Sequence, residues 1–367
     1  MEPLIFQPSE PFTIGVELEI QLLDPVTLDL TLQAPKLLEK VEPALQGQIK
    51  AEFIQSMVEI CTPVCQNMTE AADNLSFLGK HLEALASECG CVLFASSLHP
   101  YARISDRKIS PGTRYSEIME DLQLAGRRMI TQALHVHIGL PDQHTAIQVC
   151  DAIRPYLPLF LALTTSSPFF DNEDTGFHSY RSNLFPCLPR TGIPDTLGNW
   201  DNFQKLVLIL NQATLLNGIK EIWWDVRPHP DFGTIEIRIC DLPSNFNQII
   251  SMVALIQALV VKLAGSRTHD FPAREIMMHN KWNAARYGLD GTFINAHPGR
   301  HFTFRKGTQD LLDSLSPQIK ELGTEKYLKP INEIIDHGTS ADRQKKLYAQ
   351  HGDFREMIYT MQREFWK

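Results

Sequence analysis

The chain has 367 residues, 43% hydrophobic and 21% charged, an ordinary globular composition with enough apolar material for a core that needs no disulfide or structural metal. A formal net charge of −9 and a pI of about 5.8 exclude a generally basic surface and argue against nonspecific binding to nucleic acid or anionic membrane. The seven cysteines are odd in number and show neither a CxxC nor a Cys/His zinc spacing, which points to reduced cytosolic thiols.

The start of the chain carries Glu2, Pro3 and Pro8 in place of a basic stretch followed by an apolar block, so a cytoplasmic location is expected. Phe12 to Leu23 reads as a strand, turned by Asp24-Pro25. Ala51 to Ile54 and Met57 to Cys61 read as two more. Thr69 resembles a helix N-cap, Leu75, Leu78, Leu82 and Leu85 follow at helical spacing, and Gly90 fits just past the helix end. Cys91 to Ser96 is an apolar strand. Tyr115 to Met129 predicts a helix, Ala133 to Leu140 a strand, and Thr145 to Thr164 a helix divided by Pro155 and Pro158. Ser166 to Gly198, rich in Pro, Gly, Ser and Asn, is long enough to imply a functional loop. Asn202 to Leu216 is helical, Glu221–Arg227 and Thr234–Asp241 form a hairpin, and Ser244 caps an apolar core helix reaching about Lys262. The run Met252–Ala264 is too short to span a bilayer. Helices dominate the remainder. Strands mixed with helices and hairpins, without regular βαβ alternation, predict an α+β fold with a mainly antiparallel sheet and one domain over 1–367.

Three of these strands place two ionisable residues at i and i+2 inside an apolar run: Glu17 and Glu19, His135 and His137, Glu236 and Arg238. Each pair must project from one face, while Val16, Leu18, Val136, Ile138, Ile235 and Ile237 face the other. Singly, each pair is most simply a solvated sheet face or a surface ion pair. Three together predict one face that is wet and chemically armed. Side chains at i and i+2 originate roughly 6.5–7 Å apart, so Glu17 and Glu19 suit two neighbouring hard ions, Mg²⁺ or Mn²⁺, with one carboxylate each. Glu52 and Glu59 can join them only if the chain turns at Gln55-Ser56, since their odd separation would otherwise place them on opposite faces.

These residues resemble the glutamate–cysteine ligase type 2 family of carboxylate–amine ligases. The markers are Gly-Val-Glu-Leu-Glu-Ile (15–20), Glu-Ile-Cys-Thr-Pro-Val (59–64), His-Val-His-Ile-Gly (135–139), Ser-Ser-Pro-Phe-Phe (166–170), Asp-Thr-Gly-Phe-His-Ser-Tyr-Arg (174–181), Trp-Asp-Val-Arg-Pro-His-Pro (224–230) and Gly-Thr-Ile-Glu-Ile-Arg (233–238). Two positions depart from the family: Leu18 replaces the middle of three successive glutamates, and Leu98 stands where the family tends to have Thr before His-Pro. The resemblance implies a glutamine-synthetase-like sheet funnel holding ATP and Mg²⁺, or Mn²⁺. It implies that Glu19, Glu52 and Glu59 serve one metal, that Glu17, His135 and Glu236 serve the other, and that Arg238 contacts phosphate. It further implies small-molecule substrates, a glutamate-like carboxylate and an amine such as cysteine, and a homodimer.

The expected chemistry is phosphorylation of the carboxylate by ATP to an acyl phosphate, followed by attack of the amine. Arg181 and Arg238 are the expected catalytic cations; His137, Arg227, Arg238 and Arg286 are expected toward the nucleotide. Arg181, Arg190 and Arg227 are alternative holders of a substrate carboxylate, and at most one of Trp223 and Trp224 faces the site. Rival readings are a phosphagen-type phosphotransferase that stops after the first step, a nucleotide-binding homologue without catalysis, and a metal-dependent amidohydrolase.

Overall fold

Alternation of apolar and ionisable residues builds the central sheet. The computed structural model describes residues 4–103, 107–213, 215–216, 218–266, 271–294 and 301–367. Seven strands form the sheet: β1 (Ile14–Leu23), β2 (Ile49–Ala51), β3 (Met57–Cys61), β4 (Val92–Phe94), β5 (Leu134–Gly139), β6 (Val226–His229) and β7 (Thr234–Ile237). Their order is β6-β7-β5-β1-β3-β2, with β4 beside the end of β1, and every pairing is antiparallel.

One face of the sheet is dry. Val16, Leu18, Ile20, Val136, Ile138, Ile235 and Ile237 are all buried in one hydrophobic core, against the helices Met68–Glu88, Gln143–Ile153 and Phe246–Ala264. Leu18 belongs to this layer, so its failure to be a glutamate does not alter the other face. The Phe246–Ala264 helix extends beyond the apolar run Met252–Ala264 and is apolar enough to cross a membrane by length and composition, as is the stretch Gln143–Thr164. Both are largely buried in the protein interior.

Three helix starts differ from expectation. Asn67, Asp142 and Asn245, rather than Thr69, Thr145 and Ser244, have extended backbones, and their side-chain oxygens accept from the amides of Glu70, Thr145 and Gln248. These residues satisfy first-turn N–H groups that would otherwise lack partners. The proline-divided helix breaks as expected, into Gln143–Ile153, a 3-10 turn at Arg154–Tyr156, and Leu157–Thr164.

The second expected strand is displaced. Pairing stops at Ala51, Ile54 keeps only an isolated bridge to Ile109, and the chain turns at Gln55-Ser56 before β3. That turn is the one needed to bring Glu52 and Glu59 to the same side. The expected Glu221–Arg227 strand is split: Trp223–Trp224 pairs in parallel with Thr191–Gly192, and β6 begins at Val226.

Candidate active site

The sheet register orders the ionisable residues into three rows across its wet face. Gly15, His137, Glu236 and Arg227 form one row; Cys61, Glu17 and His135 the next; Glu19, Glu59 and Lys50 the third. Gly15 has a steric role here. A Cβ at that position would lie 3.3 Å from His137 Cβ, so its absence leaves room for the imidazole to lean over β1.

Side chains connect the rows. His135 Nδ1 lies 3.2 Å from Glu17 Oε2, and His137 Nε2 lies 3.6 Å from Glu17 Oε1 and 3.9 Å from Glu236 Oε1. Three groupings bring ligand atoms within 4.8 Å of one another: Glu19, Glu52 and Glu59; Glu17, His137 and Glu236; and Glu17, Glu59 and His135. The first is the trio expected for one metal. In the second, His137 takes the place expected for His135, because Glu236 is its direct partner across β5 and β7, while His135 sits opposite Glu17 and reaches Glu59. His137 Nδ1 is 3.0 Å from Thr234 Oγ1, and its Nε2 is buried without a hydrogen-bond partner. A buried, unspent imidazole nitrogen beside two carboxylates, and a trio of hard carboxylate oxygens nearby, fit divalent cations.

Electrostatics separate the carboxylates. Burial would raise the Glu17 carboxyl, but the imidazoles of His135 and His137 beside it outweigh burial and hold the group well below the ordinary range. Burial likewise opposes the cations Arg227 and Arg238 at Glu236, and the cations win, keeping that carboxylate charged. In the other trio, burial and then the Glu52 charge push Glu19 well up. Burial and the charges of Glu17 and Glu52 push Glu59 up to about 8. Burial, followed by the charge of Arg238, lowers His135 to about 4, leaving it neutral and able to act as a ligand.

All these groups except Gly15, Cys61 and Thr234 line a cavity of about 400 Å³. The expected arginines divide around it. Arg238 lines the cavity and bonds Glu236 through Nη1. Arg227 is buried and committed: Nε donates to Glu236 Oε2 at 2.6 Å and Nη2 to Oε1 at 3.3 Å, while Nη1 donates to the carbonyls of Ile219 and Ile222. Arg181 donates to the carbonyls of Ile239 and Arg238 and pairs with Asp241 at 3.6 Å; only its Nε is buried without a partner. Arg190 donates to the Glu221 carbonyl beside Trp223. Arg286 lies outside the cavity lining, bonded to the Gly176 carbonyl and stacked on Phe177 and Tyr287. Trp223 lines the cavity, and Trp224 packs near Phe203.

Comparison with known proteins gives this geometry a family. The model of glutamate-cysteine ligase family 2 matches residues 13–360. A protein named putative glutamate–cysteine ligase 2 from Solibacter usitatus is 38% identical over 354 residues, covering 95% of this chain and 92% of its own. The chain belongs to glutamate-cysteine ligase family 2. A relative of the same name from Herpetosiphon aurantiacus is 37% identical over 97% of the chain and 94% of its own. Among solved structures, the glutamate–cysteine ligase of Francisella tularensis in complex with AMP superimposes with a TM-score of 0.72 at 13% identity, covering 98% of this chain and 90% of that one. A bifunctional glutathione synthetase from Pasteurella multocida gives 0.71 at 15% identity, over 97% of this chain and 52% of that one. These likenesses establish the glutamine-synthetase-like α+β fold.

Within this family member, two features of the site were not anticipated from the sequence. Asp241, just past β7, accepts from the Ser166 amide and the hydroxyls of Ser167 and Ser179 at 2.8–3.0 Å, tying two parts of the long loop to the sheet and anchoring Arg181. Its one sequence signal is an acid in the apolar run Ile239-Cys240-Asp241-Leu242. The second is an aromatic pair at the β6–β7 hairpin: Phe232 stacks on His229 at 4.1 Å and 5°, beside His137.

Proposed function

We propose that the protein is an ATP-dependent, Mg²⁺-requiring carboxylate–amine ligase that activates the side-chain carboxylate of glutamate and joins it to an amine such as cysteine. The observation that carries this reading is the pair of donor groups on one sheet face, Glu19–Glu52–Glu59 and Glu17–His137–Glu236, with Arg238 at their edge. Mg²⁺, or Mn²⁺, held by these residues would neutralise phosphate charge, which two mutually repelling anions require before they can react.

The chain's own groups do the rest. Arg238 faces the cavity as a fixed cation for the transferring phosphoryl group. Its charge is favoured because Glu236 outweighs the cost of burial. Arg227 holds Glu236 in place from behind. His137 is oriented by Thr234, and Asp241 with Arg181 fixes the strand end that carries Arg238. The glutamate carboxylate takes the γ-phosphoryl group from ATP and becomes an acyl phosphate; the amine then displaces inorganic phosphate. The same reading takes residues 1–367 as one catalytic domain of a cytoplasmic homodimer, an assignment supported by family resemblance.

The test is ATP turnover with glutamate and an array of amines, with ADP, phosphate and product mass measured. ADP, phosphate and an amide support the reading. AMP and pyrophosphate contradict the acyl phosphate, and a phosphorylated product without an amide favours a phosphotransferase. Glu17→Gln and Arg238→Ala should abolish turnover in folded protein; full activity in either refutes the site.

A further inference from the structure

Arg238 sits where the sheet ladder ends. The last registered pair of β6 and β7 is Val226 with Ile237. Beyond it the amides of Arg238 and Ile239 both donate to one carbonyl, that of Asp225, at 2.8 and 3.2 Å. Two residues thus oppose one, the geometry of a β-bulge, which re-aims a side chain where pairing stops. The side chain carried on this bulge is the cation that faces the cavity.

Arg238 is held at three points. Its side chain bonds Glu236, its amide donates to the Asp225 carbonyl, and its own carbonyl accepts from Arg181 Nη2 at 3.2 Å. Each holder is backed by a counter-charge. Arg227 stands behind Glu236, and Asp241 behind Arg181. Behind Asp225 stands Lys281, whose Nζ donates to Asp225 Oδ2 at 2.6 Å.

Lys281 is an unusual residue to find there. It lies in the middle of the helix Arg274–Tyr287 and is 8% exposed, and a buried ammonium is costly unless it is paired. Asp225, also 8% exposed, supplies the pair. Such a pair adds little net stability, because desolvation offsets the attraction. It does tie Asp225 to a well-anchored helix. The Ala285 carbonyl of that helix accepts from the amides of His178 and Ser179 at 2.8 and 2.9 Å, and Asn280 exchanges hydrogen bonds with the backbone of Ile294. Neither Lys281 nor Asp225 lines the large cavity. With Arg181 and Arg238 they border a cleft of about 20 Å³, which has room for a water molecule and not for a substrate.

From these contacts, and resting on the ligase reading above, we infer that Lys281 is a positioning residue for phosphoryl transfer: by holding Asp225 it fixes the bulge, and so sets where the Arg238 guanidinium stands, without touching substrate itself. A misplacement of about 1 Å can cost about 100-fold in rate. An interaction made in the transition state shows its loss in kcat rather than in substrate affinity.

The experiment uses the full chain and two readouts. Amide exchange followed by mass spectrometry reads the bulge and needs no substrate. Turnover with ATP, Mg²⁺, L-glutamate and the best acceptor of the amine array reads the chemistry. In Lys281→Met, exchange in the peptide covering Arg238 and Ile239 should rise about tenfold through local opening, while β1 and β5 stay unchanged. Its kcat should fall about 10–100-fold, with KM for ATP and glutamate within about twofold of wild type. Lys281→Arg keeps a cation against Asp225 and should recover most of kcat. Should Lys281→Met not fold, Lys281→Met/Asp225→Asn leaves no buried charge unpaired and gives the same readouts. Unchanged exchange at the bulge, exchange raised equally across the sheet, a loss confined to KM, or Lys281→Arg no better than Lys281→Met overturns the inference and leaves the ligase reading intact. A wild-type protein that makes no amide with any acceptor overturns both.

Discussion

Arg227 separates a nucleotide-contacting role from a structural one. Its guanidinium makes two bonds to Glu236 and two to the carbonyls of Ile219 and Ile222, and both residues of the pair are buried. Arg227→Met keeps much of the volume and removes all four. Breaking a buried pair by deleting one partner costs about 3–5 kcal/mol; Arg238 still contacts Glu236, which places the expected loss near the lower end, about 3 kcal/mol. Urea unfolding of metal-free protein at pH 7 measures it. The sign of the pH dependence follows from Glu236, whose folded carboxyl lies well below its ordinary value of 4.5 because Arg227 and Arg238 overcome burial. Its stabilisation is full above that value and is lost as pH falls below it, so the gap between wild type and variant should narrow below pH 4.5. A loss under about 1 kcal/mol, set against the cost expected of a buried pair, would refute this role if the gap is also independent of pH. Weakened ATP binding in an otherwise stable variant would instead return Arg227 to direct contact with nucleotide.

Three further outcomes are expected. Glu19 and Glu59 are raised, the latter to about 8, by burial and neighbouring carboxylates. The folded state therefore holds protons that the unfolded state has released, and EDTA-treated protein should lose Tm as pH rises from 6.5 to 8. That window avoids His135 and His229, which burial lowers to about 4; added Mg²⁺ should reduce the slope, and a flat profile would refute the shared-proton cluster. Gly15→Val should displace the His137 ring and weaken Mg²⁺-dependent ATP binding, read by calorimetry, with little change in far-UV circular dichroism; unchanged affinity would refute the steric role of Gly15. Asp241→Asn puts an amide where three donors converge and should cost about 1–3 kcal/mol; denaturant midpoints check this, and an unchanged midpoint would remove Asp241 as the loop anchor.

Much of this site was legible because strand alternation is local. Glu17 with Glu19, His135 with His137, and Glu236 with Arg238 share a face wherever their strands lie, and Leu18 falls in the core for the same reason. Register is not local. Which histidine meets Glu236 depends on how β5 slides against β7, and a shift of two residues would exchange His135 for His137 without changing the pattern of either strand. Glu52 was legible only conditionally, through the turn at Gln55-Ser56. The arginines were the least legible, because a guanidinium's partner depends on chain segments far away in sequence. Arg286 finds the Gly176 carbonyl, and Arg181 finds Asp241.

That division among the arginines follows from charge. The wet face gathers Glu17, Glu19, Glu52, Glu59 and Glu236, and two of these, Glu17 and Glu236, are held as carboxylates by partners in the protein itself. Arg227 and Arg238 converge on Glu236 from adjacent positions. Burial lowers Arg227, but the pair with Glu236 keeps it bound in place, whereas Glu236 outweighs burial at Arg238 and strengthens its charge. One arginine thus holds the carboxylate from behind, and the other presents its cation to the cavity. In the trio Glu19, Glu52 and Glu59, burial and neighbouring carboxylates outweigh the charges of Arg181 and Arg238 at Glu19 and of Lys50 at Glu59, and both of these carboxyls are pushed up. A divalent ion held by the trio would offset this repulsion directly.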